Sequence, residues 1–329
     1  MTGALPRDAV VVTAGDSGFM GFLRGMVGSL RALPGGEEVA LRVLDLGLTE
    51  EDRVWLAARG AGFAVPHAHL GIPEGTLRPQ LLGFLARPFL RDYFPGFASY
   101  FWVDGDAWLQ RRECADAFVD GARARGLAVA HERHAAYRFQ AWLQGWVLKH
   151  LLLGFGPLDG AWLYAAVPVN AGMFCLSDTA PHWDAWAAAY ADAYHRSRAV
   201  VPHDQFALNR VTAGGLFGRG RLDAAILPPR HNWICDRGPP MWNDAAGAFC
   251  EPRAPYAPLG ALHLAGPAKR EAYAIRRTGG GTFTARLTWG AGPGGAGSGN
   301  GGAAGAEPGS MGPEDTGPGS AAPAAGSAG

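Results

Sequence analysis

The strand and helix patterns that alternate over residues 9–66 constrain the fold most strongly. Residues 9–14 form a β-branched run that predicts a strand, and apolar residues recur at helical spacing over residues 19–30. Residues 39–46 predict a second strand, a capping-box sequence starting at Thr49 predicts a second helix, and residues 63–66 predict a third strand. Parallel strands require such crossover helices. We therefore expect an α/β fold with a parallel sheet.

The apolar run over residues 99–109 contains Asp104 and Asp106, which are separated only by Gly105. The run predicts a buried strand, and unpaired carboxylates are costly to bury, so we expect them where the strand leaves the core. In an extended segment, residues i and i+2 project to the same side, about 6 to 7 Å apart. Both carboxylates could then reach one hard cation, and Gly105 would let a ligand approach the backbone. The alternative is an ordinary Asp-Gly-Asp turn with no ligand.

Later segments continue the mixture of helices and strands. Arg87 and Arg91 lie four residues apart in a helical pattern interrupted by Pro88, so they share a face; they are either solvated charges or directed toward a site. An amphipathic pattern over residues 137–153 indicates core packing, with a lid or acceptor-facing surface as the alternative. The remaining predicted elements are helices over residues 81–93, 115–125, 183–196 and 206–211, and strands over residues 127–131, 169–176 and from residue 261.

Composition excludes several classes of protein. The 329 residues include 29 basic and 29 acidic side chains, so net charge does not favour nucleic acid as a partner. The longest apolar stretches are too short for a transmembrane span, and the N-terminal residues do not resemble a signal peptide. Four widely spaced cysteines form no C-x-x-C pair, so we predict free thiols in a reducing, cytoplasmic compartment. Peripheral contact with a membrane stays open.

The C-terminal residues differ in composition from the rest of the chain. Residues 291–329 are mostly glycine, alanine and proline, with no aromatic residue. Such a segment buries too little apolar surface to offset the entropy lost on ordering. We therefore predict a disordered tail over residues 291–329 and a folded domain over residues 1–290, the part to which any catalytic activity would belong.

Residues 9–270 resemble glycosyltransferase family 8 and look most like its lipooligosaccharide galactosyltransferase branch. Members of the family are retaining hexosyltransferases that use nucleotide sugars on a GT-A fold, a mixed and mostly parallel sheet flanked by helices. The resemblance depends on several short motifs in the expected order, none specific alone: residues 13–19, 43–45 and 49–51, Asp104-Gly-Asp106, Asn170-Ala-Gly172, Asp204-Gln205 with Leu208-Asn209, and His263-x-x-Gly266-x-x-Lys269.

The resemblance implies a role for each matching residue. Asp104, Asp106 and His263 would hold a divalent cation, Mn²⁺ or Mg²⁺, and carboxylate and imidazole ligands suit such an ion. The residues implied to bind the nucleotide are Ala14, Asp16, Phe19, Gly266 and Lys269. Those implied to surround the donor sugar are Arg87, Asn170, Ala171, Asp204 and Gln205, of which Asp204 and Gln205 are the catalytic candidates.

The expected activity is metal-dependent transfer of a hexose from UDP-glucose or UDP-galactose to a hydroxyl of a glycan or other acceptor, with retention. The alternatives are an inverting transferase with His131 or Glu132 as general base, a sugar-nucleotide hydrolase, and a binding module without turnover. The chain departs from the family pattern at Gly105, Phe206 and Arg270, and His131-Glu132 occupies the region where a site carboxylate is expected. His67, His69, His134 and His203 are not assigned to the site.

Overall fold

The structure is a computed structural model that describes residues 8–293. Its strands are β1 (Ala9–Gly15), β2 (Ala40–Asp45), β3 (Ala61–Ala64), β4 (Ser99–Val103), β5 (Ala107–Leu109), β6 (Leu127–His131), β7 (Val169–Ser177), β8 (Ala225–Leu227), β9 (Trp233–Ile234), β10 (Met241–Asn243), β11 (Ala248–Cys250), β12 (Ala261–His263), β13 (Ala272–Arg276) and β14 (Thr282–Arg286). Its α-helices are α1 (Met20–Ala32), α2 (Glu50–Ala57), α3 (Pro79–Ala86), α4 (Leu90–Tyr93), α5 (Arg112–Arg125), α6 (Ala141–Ala165), α7 (His182–Ser197) and α8 (His203–Ala213).

The central sheet has the strand order β3-β2-β1-β4-β7-β6-β8. Its neighbouring strands are parallel except that β7 is antiparallel to both β4 and β6. The predicted α/β class, with a mixed and mostly parallel sheet flanked by helices, is confirmed. The predicted capping box is also confirmed, because the side chains of Thr49 and Asp52 each bond the other residue's backbone N–H at the start of α2.

Two apolar layers cover the faces of this sheet. One contains side chains of α1, α2 and α5, among them Leu23, Leu56 and Phe118. The other contains side chains of α3, α7 and α8, such as Leu85 and Trp186. Because both faces are covered, the central strands are apolar along most of their length, as the run over residues 99–103 illustrates. Polar side chains can therefore gather only where these strands end.

A smaller sheet lies beside the carboxyl end of β4, with the order β5-β12-β9. Strand β5 follows the Asp104-Gly-Asp106 segment directly, and its antiparallel pairing with β12 sets His263 opposite Ala107. A third apolar cluster, which includes Trp108, Trp233 and Leu262, supports this sheet. The small sheet therefore brings His263 to the edge where the aspartates emerge.

Several helices differ from their predicted bounds. The helix predicted over residues 81–93 forms α3 and α4, separated by the 3₁₀ turn Arg87–Phe89, and α5 begins at Arg112 instead of residue 115. The helix predicted over residues 137–153 begins later, at Ala141, and continues to Ala165 with a kink at Gly156, where φ is +78° and Pro157 follows. The short helix predicted over residues 206–211 is part of the longer α8, which begins at His203. Within residues 8–293, no helix has both the length and the apolar character needed to cross a membrane.

The four cysteines are buried and free, as predicted. The chain is still packed near residue 290, where the ring of Trp289 lies against Gly28 of α1. Of the predicted tail, residues 294–329 lie outside the described residues. The domain boundary at residue 290 stays a prediction.

Candidate metal centre and its surroundings

Asp104, Gly105 and Asp106 form a turn between β4 and β5, and the N–H of Ala107 donates to the carbonyl of Asp104 at 2.9 Å. The prediction of an extended segment here is wrong, because β4 ends at Val103 and the small sheet redirects the chain. The turn is held from both sides. The N–H of Asp104 donates to Gly172 O at 2.8 Å, and the N–H of Leu264 donates to Asp106 O at 3.0 Å.

Gly105 is enclosed by protein atoms. A Cβ on this residue would lie 3.0 Å from Leu23 Cδ2 and 3.2 Å from both Ala14 O and Phe19 Cδ1. The predicted reason for a glycine here, close approach by a ligand, is therefore wrong. The absent side chain lets the aspartate turn pack against the end of β1.

His263 meets both aspartates, as predicted. Its Nε2 atom lies 3.4 Å from Asp106 Oδ1 and 3.7 Å from Asp104 Oδ2. One ligand atom from each of the three side chains falls within 4.8 Å of the other two. The convergence of Asp104, Asp106 and His263 is thus confirmed, although His263 lies 157 positions after Asp106 in the chain.

Each aspartate uses its second oxygen elsewhere. Oδ1 of Asp104 accepts hydrogen bonds from Trp102 Nε1, at 2.7 Å, and from the guanidinium of Arg87. Oδ2 of Asp106 lies 2.8 Å from Nζ of Lys269. These donors fix the orientation of both carboxylates, so that the remaining oxygens face His263.

Asn232 orients the imidazole of His263. Nδ2 of Asn232 donates to Asn170 Oδ1 at 2.8 Å, and that oxygen also accepts from the N–H of Gly172. Asn232 must therefore present its Oδ1 atom to His263 Nδ1, 3.0 Å away, and Nδ1 donates to it. This bond directs Nε2 at the two carboxylates, where it can carry a proton or, after losing it, bind a metal ion. Sequence reasoning missed Asn232, which lies in a loop without a motif.

The three side chains fit a divalent cation. Ligand atoms about 2.0 to 2.2 Å from a small cation are roughly 3 Å apart at neighbouring positions, close to the spacing seen here. Gly172 leaves the room that the cluster needs, because a Cβ there would lie 2.3 Å from His263 Cε1 and 2.8 Å from Asp104 Oδ2. Two carboxylates and one imidazole suit Mn²⁺ or Mg²⁺, and three protein ligands leave coordination positions for a substrate.

The charges in this cluster depend on each other. Burial opposes ionisation of Asp106, but His263 and Lys269 lower the pKa of its carboxyl group well below the usual range. Burial also opposes charge on His263, yet Asp106 and Asp104 raise the pKa of its imidazole. The concentrated negative charge thus attracts whatever cation reaches it, a proton or a metal ion.

Arg87 connects Asp104 to Asp204. Its guanidinium bonds a carboxylate oxygen of each and stacks near the rings of Phe84 and Trp102, with centroids at 4.8 and 5.1 Å. Asp204 is 2% exposed, and burial raises the pKa of its carboxyl group although Arg87 acts in the opposite direction. Asp204 therefore lies behind Arg87 and contacts the site through it.

Asn170 and Gln205 meet at a third carboxylate, that of Glu132. Nδ2 of Asn170 donates to Glu132 Oε1 at 2.6 Å, and Nε2 of Gln205 donates to the same atom at 3.1 Å. Oε1 of Gln205 accepts from the N–H of Ala171 at 3.2 Å, and Arg237 lies 2.7 Å from the other oxygen of Glu132. Three of the residues predicted to surround the donor sugar thus belong to one network. Arg237 was not predicted.

The predicted nucleotide-binding residues border the metal centre. Ala14 lies near the end of β1, and Asp16 accepts from the N–H of Phe19 at 2.9 Å and from Gln80 Nε2 at 2.7 Å. Nζ of Lys269 lies 5.5 Å from the ring centroid of Phe19. Gly266 has a φ of +59°, which favours glycine, and begins the 3₁₀ turn that carries Lys269.

No protein-family model and no curated protein matches the chain. Among solved structures, the galactosyltransferase LgtC in complex with donor and acceptor sugar analogs is 19% identical over 78% of this chain and 87% of its own, with a TM-score of 0.48. Mouse xyloside xylosyltransferase 1 is 13% identical over 78% of this chain and 97% of its own, with a TM-score of 0.46. The glycosyltransferase GlyE of Streptococcus pneumoniae TIGR4 is 17% identical over 79% of this chain and 55% of its own, with a TM-score of 0.47. At such low identity the likeness assigns no activity to this chain.

Proposed function

We propose that the chain is a metal-dependent hexosyltransferase that uses UDP-glucose or UDP-galactose and transfers the hexose to an acceptor hydroxyl with retention. The observation that carries the proposal is the convergence of Asp104, Asp106 and His263 beside Lys269. The motif resemblance to family 8 supports the donor class and the stereochemistry.

Asp104, Asp106 and His263 would hold Mn²⁺ or Mg²⁺, which would supply Lewis-acid stabilisation of the diphosphate. Lys269 would stabilise the negative charge of the same diphosphate. Its ammonium group lies 2.8 Å from Asp106, so a diphosphate bound at the cluster would be within reach. A positive group held where charge develops lowers the barrier because it needs no reorganisation during the reaction. Ala14, Asp16, Phe19 and Gly266 would contact the nucleoside end of the donor.

In the transfer, the acceptor oxygen approaches the anomeric carbon from the same face that the diphosphate leaves. It forms a bond to that carbon as the bond from the carbon to the β-phosphate oxygen breaks, which retains the anomeric configuration. The electron pair of the broken bond leaves with the diphosphate, which also takes the hydroxyl proton. Asn170, Ala171 and Gln205 orient the hexose, since they form one hydrogen-bonded network beside the metal centre. Gln205 is the group that would face the anomeric carbon, whereas buried Asp204 positions Arg87.

The test compares D104N and D106N with the control D116N, which removes the carboxylate of a surface ion pair on α5. We expect Mn²⁺ to raise the melting temperature of the parent and of D116N, and UDP-hexose turnover to require the cation. D104N and D106N should lose both effects while their circular dichroism stays native. Parent-like turnover in either variant would contradict the proposal.

Glu132 supports a second candidate, an inverting transferase in which this carboxylate is the general base. It belongs to the network with Asn170 and Gln205 and also lines an open cleft. The anomeric configuration of the product, measured by NMR, separates the two mechanisms. Turnover that does not depend on an acceptor would instead indicate a hydrolase, and donor binding without any product would indicate a binding module.

A further inference from the structure

A cleft of about 370 Å³ opens beside Glu132. Its walls are formed by the segment from Glu132 to Phe139, by Leu143 and Gln144 in the first turn of α6, and by Arg237. Glu132 connects this cleft to the proposed hexose site, because its Oε1 atom accepts from both Asn170 and Gln205. A molecule in the cleft would therefore lie next to the hexose that the chain is proposed to transfer.

The lining of the cleft has an excess of positive charge. It includes three arginines and a single carboxylate, and the carboxylate of Glu132 is already paired with Arg237 at 2.7 Å. The guanidinium of Arg133 donates to the carbonyls of Ala165 and Ala166 at the carboxyl end of α6, whose partial negative charge it meets, and among the described residues it has no carboxylate partner. Among the described residues, the exposed guanidinium of Arg138 has no hydrogen-bond or ion-pair partner. Within residues 8–293, two of the guanidinium groups that line the cleft are therefore without a carboxylate partner, and that of Arg138 is without any partner.

The cleft also offers an aromatic surface. The side chain of Phe139 is 80% exposed although it belongs to the lining. An exposed phenyl ring beside hydrogen-bonding groups is suited to the apolar C–H face of a sugar ring. The volume is at the lower end of the range typical of small-molecule sites, so it accommodates one or two sugar residues.

We propose, on the basis of the proposed function, that this cleft binds the acceptor and that the acceptor is a saccharide with an anionic group. Arg138 and Arg133 bind the anion, and Phe139 contacts the sugar ring. The anion is a phosphate or a carboxylate, since a guanidinium binds both in a bidentate manner. The hydroxyl to be glycosylated then points past Glu132 toward Gln205.

The test measures binding without donor or metal, by calorimetry at low salt. The probes are methyl glucoside, its 6-phosphate and methyl glucuronide. We expect at least one of the two anionic glycosides to bind more than about tenfold tighter than the neutral glycoside, and R138A to remove that advantage. The glycoside that binds more tightly indicates whether the anionic group of the acceptor is a phosphate or a carboxylate. The matched control is R125A, because Arg125 lies at the opposite end of β6, where it pairs with Asp223.

Equal binding of the neutral and anionic glycosides would overturn the proposal. An equal loss of affinity for the anionic glycoside in R138A and R125A would also overturn it. The same holds if inorganic phosphate binds as tightly as the anionic glycosides. A chain that binds an anionic glycoside through Arg138 but never turns over a UDP-hexose would overturn the transferase assignment, while the anion-binding cleft would stand.

Discussion

Asn232 accepts a hydrogen bond from His263, and that bond joins the candidate metal centre to the network around Asn170. The two atoms, Asn232 Oδ1 and His263 Nδ1, are 3.0 Å apart, and both side chains are buried. The orientation of one imidazole thus depends on a residue that contacts neither carboxylate of the cluster.

Replacing Asn232 with alanine should weaken Mn²⁺ binding by about 10 to 100-fold, the usual effect of removing a hydrogen-bond partner from a metal-ligating histidine. The loss follows because Nδ1 no longer has its acceptor and Nε2 is free to rotate away from the aspartates. Titration of Mn²⁺ followed by electron paramagnetic resonance measures the affinity directly.

The variant N232D provides the matched comparison. The carboxylate of N232D still accepts a hydrogen bond from His263 Nδ1. It cannot donate to Asn170 Oδ1, however, which in the parent accepts from Asn232 Nδ2. We expect Mn²⁺ affinity to be retained in N232D and UDP-hexose affinity to fall. Unchanged Mn²⁺ affinity in N232A would show that Asn232 does not orient the ligand.

The variant G172A should lose Mn²⁺ affinity by more than about tenfold. A Cβ on this residue would lie 2.3 Å from His263 Cε1, so the imidazole must move away from the aspartates. The control is G21A in α1, where a Cβ meets no atom within 4 Å and the helix should gain about 0.5 to 1 kcal/mol. Mn²⁺ titration and urea unfolding of both variants test the expectation, which fails if G172A binds Mn²⁺ as the parent does.

Replacing Arg87 with methionine should lower the free energy of unfolding by about 3 to 5 kcal/mol, because it leaves the buried carboxylate of Asp204 and the partly buried carboxylate of Asp104 without their partner. The double variant R87M/D204N should recover part of this loss. Asp204 is only 2% exposed, and in the double variant its unpaired charge is absent. Urea unfolding of the two single variants and the double variant gives the coupling energy. Additive losses would mean that the two side chains are not coupled.

Stability should fall as the pH drops from 6.5 toward 4, partly because of His203. Burial lowers the pKa of this histidine from 6.5 to about 4, so in this interval the unfolded chain takes up a proton that the folded chain does not. Each proton that only the unfolded chain binds lowers the free energy of unfolding by about 1.4 kcal/mol for each unit that the pH falls. The free energy of unfolding of H203Q, plotted against pH over this interval, should have a shallower slope than that of the parent. The difference should correspond to about one bound proton.

The control for that experiment is H195Q, which removes an exposed histidine from α7. It should keep the slope of the parent. If H203Q also keeps that slope, His203 does not account for the pH dependence.

The sequence predicted most of the elements because their signals are local. Apolar periodicity and the Thr49 capping box are read within one segment, and the structure contains the corresponding strands and helices. The meeting of Asp104, Asp106 and His263 was also predicted, but from the order of motifs and the family resemblance. No local pattern connects residues so far apart in the chain.

The parts that sequence reasoning missed depend on packing. The turn at Asp104 was predicted only as the alternative to an extended segment, and the pairing of β5 with β12 that holds it is not revealed by any pattern near residue 104. Asn232 and Arg237 matter because of the side chains beside them, His263 and Glu132, and neither lies in a motif. A search for a hydrogen-bond partner of His263 would have raised the question, but only the folded structure identifies that partner as Asn232.

The pairing of β12 with β5 also determines when the candidate metal centre can assemble during synthesis of the chain. A nascent chain that has emerged only as far as residue 250 contains both aspartates, but neither the imidazole of His263 nor the ammonium group of Lys269. The centre is complete only after β12 has emerged and set His263 opposite Ala107. On the proposed function, binding of the ion would therefore be a late event in biosynthesis, and it would stabilise only chains in which the last strand of the small sheet has docked.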